Sequence, residues 1–202
     1  MELGETQLDA LKEVGNIGAG HAATALANLT GRKITMTVPG VHLVPLEQVA
    51  ELVGGYEAPV VAVLQQFGGE VRGSILVVLT EPNAHRLIRL LVTDASLVAQ
   101  PLVAHAGRLR HVVGVLIISY LTALSQFVGR WLEPEEAQVA FDMAGAIIDD
   151  VLAEISQEAD VALVIETEFH APDAIGDLVA GYMLLLPGLD SLRMILTALG
   201  VD

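Results

Sequence analysis

Asp9-Ala10-Leu11-Lys12-Glu13-Val14-Gly15-Asn16-Ile17-Gly18-Ala19-Gly20 resolves into two stripes when wound as a helix at about 100° per residue. Asp9, Glu13, Asn16 and Gly20 fall within about 60° of one another, a polar ridge with small residues. Leu11, Val14 and Gly18, continued beyond this stretch by Ala22, Ala25 and Leu29, make an apolar or glycine stripe about 80° wide. The pattern predicts an amphipathic surface helix over residues 9–29 with the ridge toward solvent. An acid and an amide one turn apart on an exposed helix can do two jobs together. The carboxylate can grip a cation on a partner while the amide orients a water.

Outward from this helix the chain repeats itself. Residues 22–31, AATALANLTG, align with residues 120–129, YLTALSQFVG; residues 60–67 parallel 162–169, and 73–91 parallel 181–199. Each half reads as a long helix, an extended region, a shorter helix, two strands and a closing helix. In the first half, residues 33–38 alternate as a strand, 46–53 look helical, and 59–67 with 70–79 form a hairpin about Gly68-Gly69. Pro82 then starts a helix to Leu91. In the second half, residues 137–155 read as an amphipathic helix with Asp149, Asp150 and Glu154 on its polar side. Residues 161–169 and 178–186 form the hairpin, and Gly188 precedes a last helix to Leu199. The expected fold class is α+β, with pseudo-twofold duplicated half-domains and helices packed on a mostly antiparallel sheet. One domain results, residues 1–202, made of two homologous halves at about 6–98 and 104–202.

Composition narrows the function. A chain of 202 residues with 53% hydrophobic content suffices for one well-buried domain. A formal charge of −15 with only ten lysines and arginines argues against nucleic acid, because phosphate neutralisation needs clustered basic side chains. Partners should be proteins or cations. The absence of cysteine removes disulfide frameworks and thiolate chemistry. The first seven residues carry two glutamates and no apolar core, unlike a secretory signal, so a cytoplasmic location is expected. Mean hydropathy is nevertheless +0.59. Residues 112–128 form an uncharged run between Arg108, Arg110 and Arg130, near the lower length for a membrane span. Ser119, Thr122, Ser125 and Gln126 within it, and basic residues at both ends, favour a helix buried in the protein over membrane insertion.

Other chemistry finds little support. Gly15-x-x-Gly18-x-Gly20 has the wrong order for a dinucleotide loop and follows a helix-like segment instead of a strand. Six histidines are scattered without metal-ligand spacing, so no metal is expected. His170, Asp173 and Asp177 could gather around an ion, but a polar loop between strands explains them more simply. Ser119 and Ser125 lack a nucleophile-elbow context.

The motif itself resembles that of a known family. Asp9, Glu13, Asn16 and, after 22 intervening residues, Pro39, together with the run Leu11 to Gly20, are similar to the signature of the CheC/CheX/FliY phosphatases of bacterial and archaeal chemotaxis. Length and duplication favour the CheC branch, and the resemblance covers nearly the whole chain. It implies a phosphatase acting on the aspartyl phosphate of the response regulator CheY. The resemblance further implies that Asn16 is the residue inserted beside the phosphoryl group to align the attacking water, and that Glu13 ion-pairs with the receiver's lysine. The cofactor, Mg²⁺, belongs to the partner. Phosphoryl transfer depends on positioning and charge neutralisation more than on covalent help, and an amide aligns water without itself titrating. Asp9 and Pro39 read as supports, Asp9 by complementing the helix dipole, Pro39 by ending the following strand. Gly18 and Gly20 each cost roughly 1 kcal/mol inside a helix relative to alanine, which calls for close approach. Gly18 packs on the sheet, and Gly20 admits another protein's backbone.

In the second half the positions aligned with Asp9, Glu13 and Asn16 hold Gly107, His111 and Gly114, and Ala137 stands at the counterpart of Pro39. Relatives with two working sites keep the acid and amide in both halves, so this chain is expected to have one catalytic surface. The family also implies binding of the receptor deamidase CheD through the second half, with Asp149, Asp150 and Glu154 as candidate docking residues. A non-catalytic adaptor for phosphorylated CheY or CheD would use the same exposed helix.

Overall fold

The computed structural model describes residues 4–45, 48–155, 161–170, 178–198 and 200. Helix α1 (Glu5–Thr30) is followed by strands β1 (Thr35–Thr37) and β2 (Val41–Pro45), short helix α2 (Val49–Leu52), and the hairpin of β3 (Pro59–Gly69) and β4 (Gly73–Thr80). Helices α3 (Glu81–Leu91) and α4 (Ala95–Val98) and a 3-10 turn lead into α5 (Ala106–Val128). Then come β5 (Leu132–Pro134), β6 (Gln138–Met143), α6 (Ala144–Ile155), the hairpin of β7 (Val161–His170) and β8 (Leu178–Pro187), and α7 (Leu189–Ala198).

The strands form one eight-stranded sheet in the order β1-β7-β8-β4-β3-β5, with β2 also on β7 and β6 also on β3, and all these pairings are antiparallel. Exchanging the first four strands for the last four leaves this order unchanged. The fold is α+β, as the helix and hairpin pattern anticipates.

Strand side chains alternate between two faces, and both faces are covered. Val61, Val63, Ile75, Val77, Leu163, Ile165, Met183 and Leu185 join Leu11 of α1, Ile88 of α3, Leu116 of α5 and Ile195 of α7 in one core. The intervening residues Val60, Ala62, Leu76, Val78, Val164 and Leu184 face Val49 of α2 and Ile147 of α6 in a second. This double burial is why β4 reads as a nearly unbroken apolar run.

Helix α5 is the apolar run that could have spanned a membrane. It is long and apolar enough by composition, but Leu109, Val113, Leu116, Ile117, Tyr120, Leu121 and Leu124 are all buried within the first core. It packs along α1, where a Cβ on Gly18 would lie 3.0 Å from the Tyr120 Cα. Gly18 is therefore a packing glycine, against α5 and not against the sheet.

Several expectations need correction. Residues 138–143 are not the start of a helix: they are β6, paired with β3 from Pro59↔Met143 to Leu64↔Gln138. Val139 and Phe141 alternate toward the core, and pairing with the open edge of β3 outweighs the weak helical period. Helix α6 begins only at Ala144, where the backbone N–H groups of Ala144 and Gly145 donate to Ala58 O and Tyr56 O, each at 2.9 Å. The first hairpin turns about Glu70, not Gly68-Gly69, because Phe67 opposes Gly73. Gly68 and Gly69 instead remain in β3, pairing with Glu133 and Leu132 of β5. On α1 the buried sector is wider and rotated: Gly15, Ala19 and Leu26 are buried, whereas Ala25 is half-buried and Leu29 is 50% exposed. The helix is flanked by both α5 and the β1–β2 segment, so its inward face is broader than a single stripe.

Candidate functional site

Asp9, Glu13, Asn16 and Gly20 are all exposed on α1, as the helical spacing requires. The helix begins at Glu5, so Asp9 is one residue past the first turn, and Glu5 is the acid placed to complement the dipole. A Cβ on Gly20 would meet nothing within 4 Å. The ridge is open to a partner along its length.

What fixes Asn16 is the segment between β1 and β2. Val38 is buried, its side chain seated over Gly15, where a Cβ would come 3.4 Å from both Val38 γ-carbons. Three successive residues there are each tied by one hydrogen bond. The Val38 N–H donates to Asn16 Oδ1 at 3.3 Å. The Pro39 carbonyl accepts from Lys12 Nζ at 2.8 Å. The Gly40 carbonyl accepts from the Glu166 N–H at 3.0 Å. Because an N–H can donate only to the oxygen end of a carboxamide, the Val38 bond also fixes which way the Asn16 amide is turned. The NH₂ group and a second oxygen lone pair are left for other partners.

The Glu13 carboxylate has no ion pair or hydrogen bond to any of the described residues. Its neighbour Lys12 is engaged by Pro39 instead. Pro39 itself lies two residues past the end of β1, beside the helix and exposed. Beside Gly40 lie the ends of two mobile, partly exposed side chains: a Cβ there would come 2.5 Å from His42 Nε2 and 2.9 Å from Glu166 Oε2, which either side chain can relieve by turning. His42 and Glu166 are themselves 3.5 Å apart.

The aligned positions of the second half sit on α5. Gly107 and His111 are exposed, Gly114 is buried, and a Cβ on Gly114 would come 3.8 Å from the Ala137 Cβ. Thus Gly114 faces Ala137 much as Asn16 faces the segment carrying Pro39, with no functional side chain between. Arg110 pairs with Glu136 at 2.9 Å nearby. Asp149 and Asp150 are exposed on α6. The Glu154 and His170 side chains, and Asp173 and Asp177, lie outside the described residues. Among the described residues no group of three or more histidines and acids is gathered to hold a metal ion.

Lys12, Val38 and Gly40 were not candidates from the sequence. One signal was available: a motif pairing a helical asparagine with a proline after 22 intervening residues points to a chain that returns to that helix near Pro39.

Three clefts among the described residues are lined by other side chains, between α6 and the sheet, at the start of α5 and beside β6. Glu13 and Asn16 stand on a convex helix. Fold and site together define an α+β protein with an oriented amide and an acid side by side on an exposed helix.

The chain belongs to the CheC-like family. Residues 7–43, which contain α1 from its third residue on, Val38 and Pro39, match the model of that family. Over 201 residues the chain is 35% identical to the CheY-P phosphatase CheC of Bacillus subtilis (strain 168), covering 98% of this chain and 96% of that protein. In fold it is similar to Thermotoga maritima FliY, with TM-score 0.79 at 19% identity over 99% of this chain and 98% of that one. The FliM middle domain from H. pylori is a more distant likeness, TM-score 0.61 at 13% identity, covering 97% of this chain and 99% of the other.

Proposed function

We propose that this chain is a protein phosphatase that removes the aspartyl phosphate of a CheY-type chemotaxis response regulator. The observation that carries the reading is the pair on α1: an exposed, uncommitted Glu13 and, one turn on, an exposed Asn16 whose carboxamide is oriented by the Val38 N–H. The full-length identity to a CheY-P phosphatase supports it.

In this reading the chain supplies half of an active site. The receiver carries the phosphoaspartate, a lysine and Mg²⁺, which neutralise the phosphoryl charge. What the receiver lacks is an attacking water held in line, and positioning is the larger part of such catalysis. Asn16 provides it, accepting from the water with its free oxygen lone pair or donating through its NH₂ group to a phosphoryl oxygen. Glu13 pairs with the receiver's lysine and fixes the docked register. Gly20 lets the receiver backbone approach the ridge.

The same reading takes the chain as one domain of two homologous halves, consistent with the interchangeable strand order. Gly107, His111 and Gly114 leave the second half without acid or amide, so one catalytic surface is expected. The exposed Asp149 and Asp150 on α6 are the surface we assign to CheD, in the cytoplasm.

The deciding experiment is decay of the phosphorylated receiver in the presence of substoichiometric chain. Catalysis shortens the phosphate lifetime with many turnovers per molecule. An adaptor binds the phosphorylated receiver and leaves that lifetime unchanged, and this result would remove the reading.

A further inference from the structure

We infer that Lys12 is a positioning residue for the Asn16 carboxamide, acting through the segment between β1 and β2. The inference rests on the phosphatase reading of the site.

The terminal torsion of an asparagine is broad, so hydrogen-bond partners decide where its amide points. For Asn16 the partner shown is the Val38 N–H, at 3.3 Å, slightly beyond the usual N–H···O range. A bond that long tolerates little further displacement of the segment. Strand β1 is only three residues and ends at Thr37, so the sheet does not carry Val38 directly. Of the two flanking ties, Gly40 O to Glu166 N–H fixes the segment to β7. To α1 the segment is held by the buried Val38 side chain packed over Gly15 and by one flanking polar tie, the Lys12 ammonium on Pro39 O, at 2.8 Å a charge-assisted bond. Lys12 stands one turn before Asn16 on the same helix, so it locks helix and segment in the register that places the Val38 N–H over the carboxamide. The same bond directs the ammonium to Pro39, while neighbouring Glu13 makes no ion pair among the described residues.

The test compares Lys12→Met, which keeps the aliphatic stem but loses the donor, with Lys12→Arg, which keeps a donor. Lys33→Met, at the other lysine, controls for the change in net charge. Two readouts are taken: steady-state hydrolysis of a phosphorylated CheY-type receiver, and hydrogen exchange of the Val38 amide without substrate. Lys12→Met is expected to lower kcat about tenfold with KM within about twofold of wild type, since a misplacement on the order of 1 Å can cost a hundredfold. Val38 exchange should speed up in Lys12→Met, and Lys12→Arg should restore most of both properties.

Unchanged kcat in Lys12→Met, or a rise in KM alone, would overturn the inference, the latter by making Lys12 a direct receiver contact. A loss equal to that of Lys33→Met would overturn it as a net-charge effect. A wild-type protein with no turnover would instead remove the phosphatase reading. The exchange arm would then still decide the clamp, which fails if Val38 exchanges at the same rate in wild type and Lys12→Met.

Discussion

At Gly20 the demands of folding and of the proposed docking pull in opposite directions. The position is helical, exposed and open, so Gly20→Ala should stabilise the protein by up to about 1 kcal/mol. In a chain of this size that corresponds to a rise in Tm of roughly 2–4 °C. If a receiver backbone approaches here, the added methyl group should raise KM for the phosphorylated receiver at least severalfold. Thermal unfolding and steady-state kinetics on the one variant read both effects, and unchanged KM would move the docked backbone away from Gly20. The neighbouring residues show how far residue-level reading goes. Exposure of Asp9, Glu13, Asn16 and Gly20 follows from helical spacing alone, because a polar ridge opposite an apolar stripe leaves one orientation on a core. The motif spacing hinted that the chain near Pro39 returns to Asn16, but its partner, the Val38 N–H, was not legible, since every residue type except proline carries that backbone group.

Between elements, Gly18 of α1 lies directly against Tyr120 of α5. Gly18→Ala gains helix propensity of about 1 kcal/mol but places a Cβ 3.0 Å from the Tyr120 Cα and 3.1 Å from its Cδ2. Forcing an extra methyl group into a close-packed contact typically costs about 1–3 kcal/mol, so the net effect should be destabilising, opposite in sign to Gly20→Ala. Denaturant unfolding of the two variants side by side checks the contrast; equal shifts would mean the helices are not in close contact at Gly18. Element by element, the hairpins were legible because long apolar runs bounded by glycine and proline leave few alternatives. Strand β6 was not, since Val139 and Phe141 fit a strand and a helix equally well until β3 offers them an edge. Short β5, two of whose three residues are exposed, left still less of a pattern.

Over the whole molecule, the sheet order is the same read from either end, yet the two long helices differ in what they present. On α1 the ridge carries Glu13 and Asn16; on α5 the aligned positions are His111 and Gly114, with Gly114 closed against Ala137. One receiver per chain is therefore expected, and His111→Ala should leave turnover within about twofold of wild type, far less than the hundredfold that misplacing a catalytic group can cost. Titration with a receiver carrying a phosphoaspartate mimic reads the stoichiometry, and two equivalent sites would contradict the single-surface account. The asymmetry was legible from self-alignment, whereas the burial of α5 was not decided by its composition. A helix apolar enough to cross a membrane becomes a core helix here because α1 and the sheet cover it.

The central claim is that one carboxamide on α1 supplies the alignment that the phosphorylated receiver lacks. Its most direct measurement is the phosphate lifetime of the receiver with substoichiometric Asn16→Ala, set beside wild type, after both proteins are shown to bind the receiver. The account predicts that Asn16→Ala binds yet leaves the lifetime at its intrinsic value, a loss of at least about a hundredfold in kcat. Turnover by Asn16→Ala close to that of wild type would contradict it.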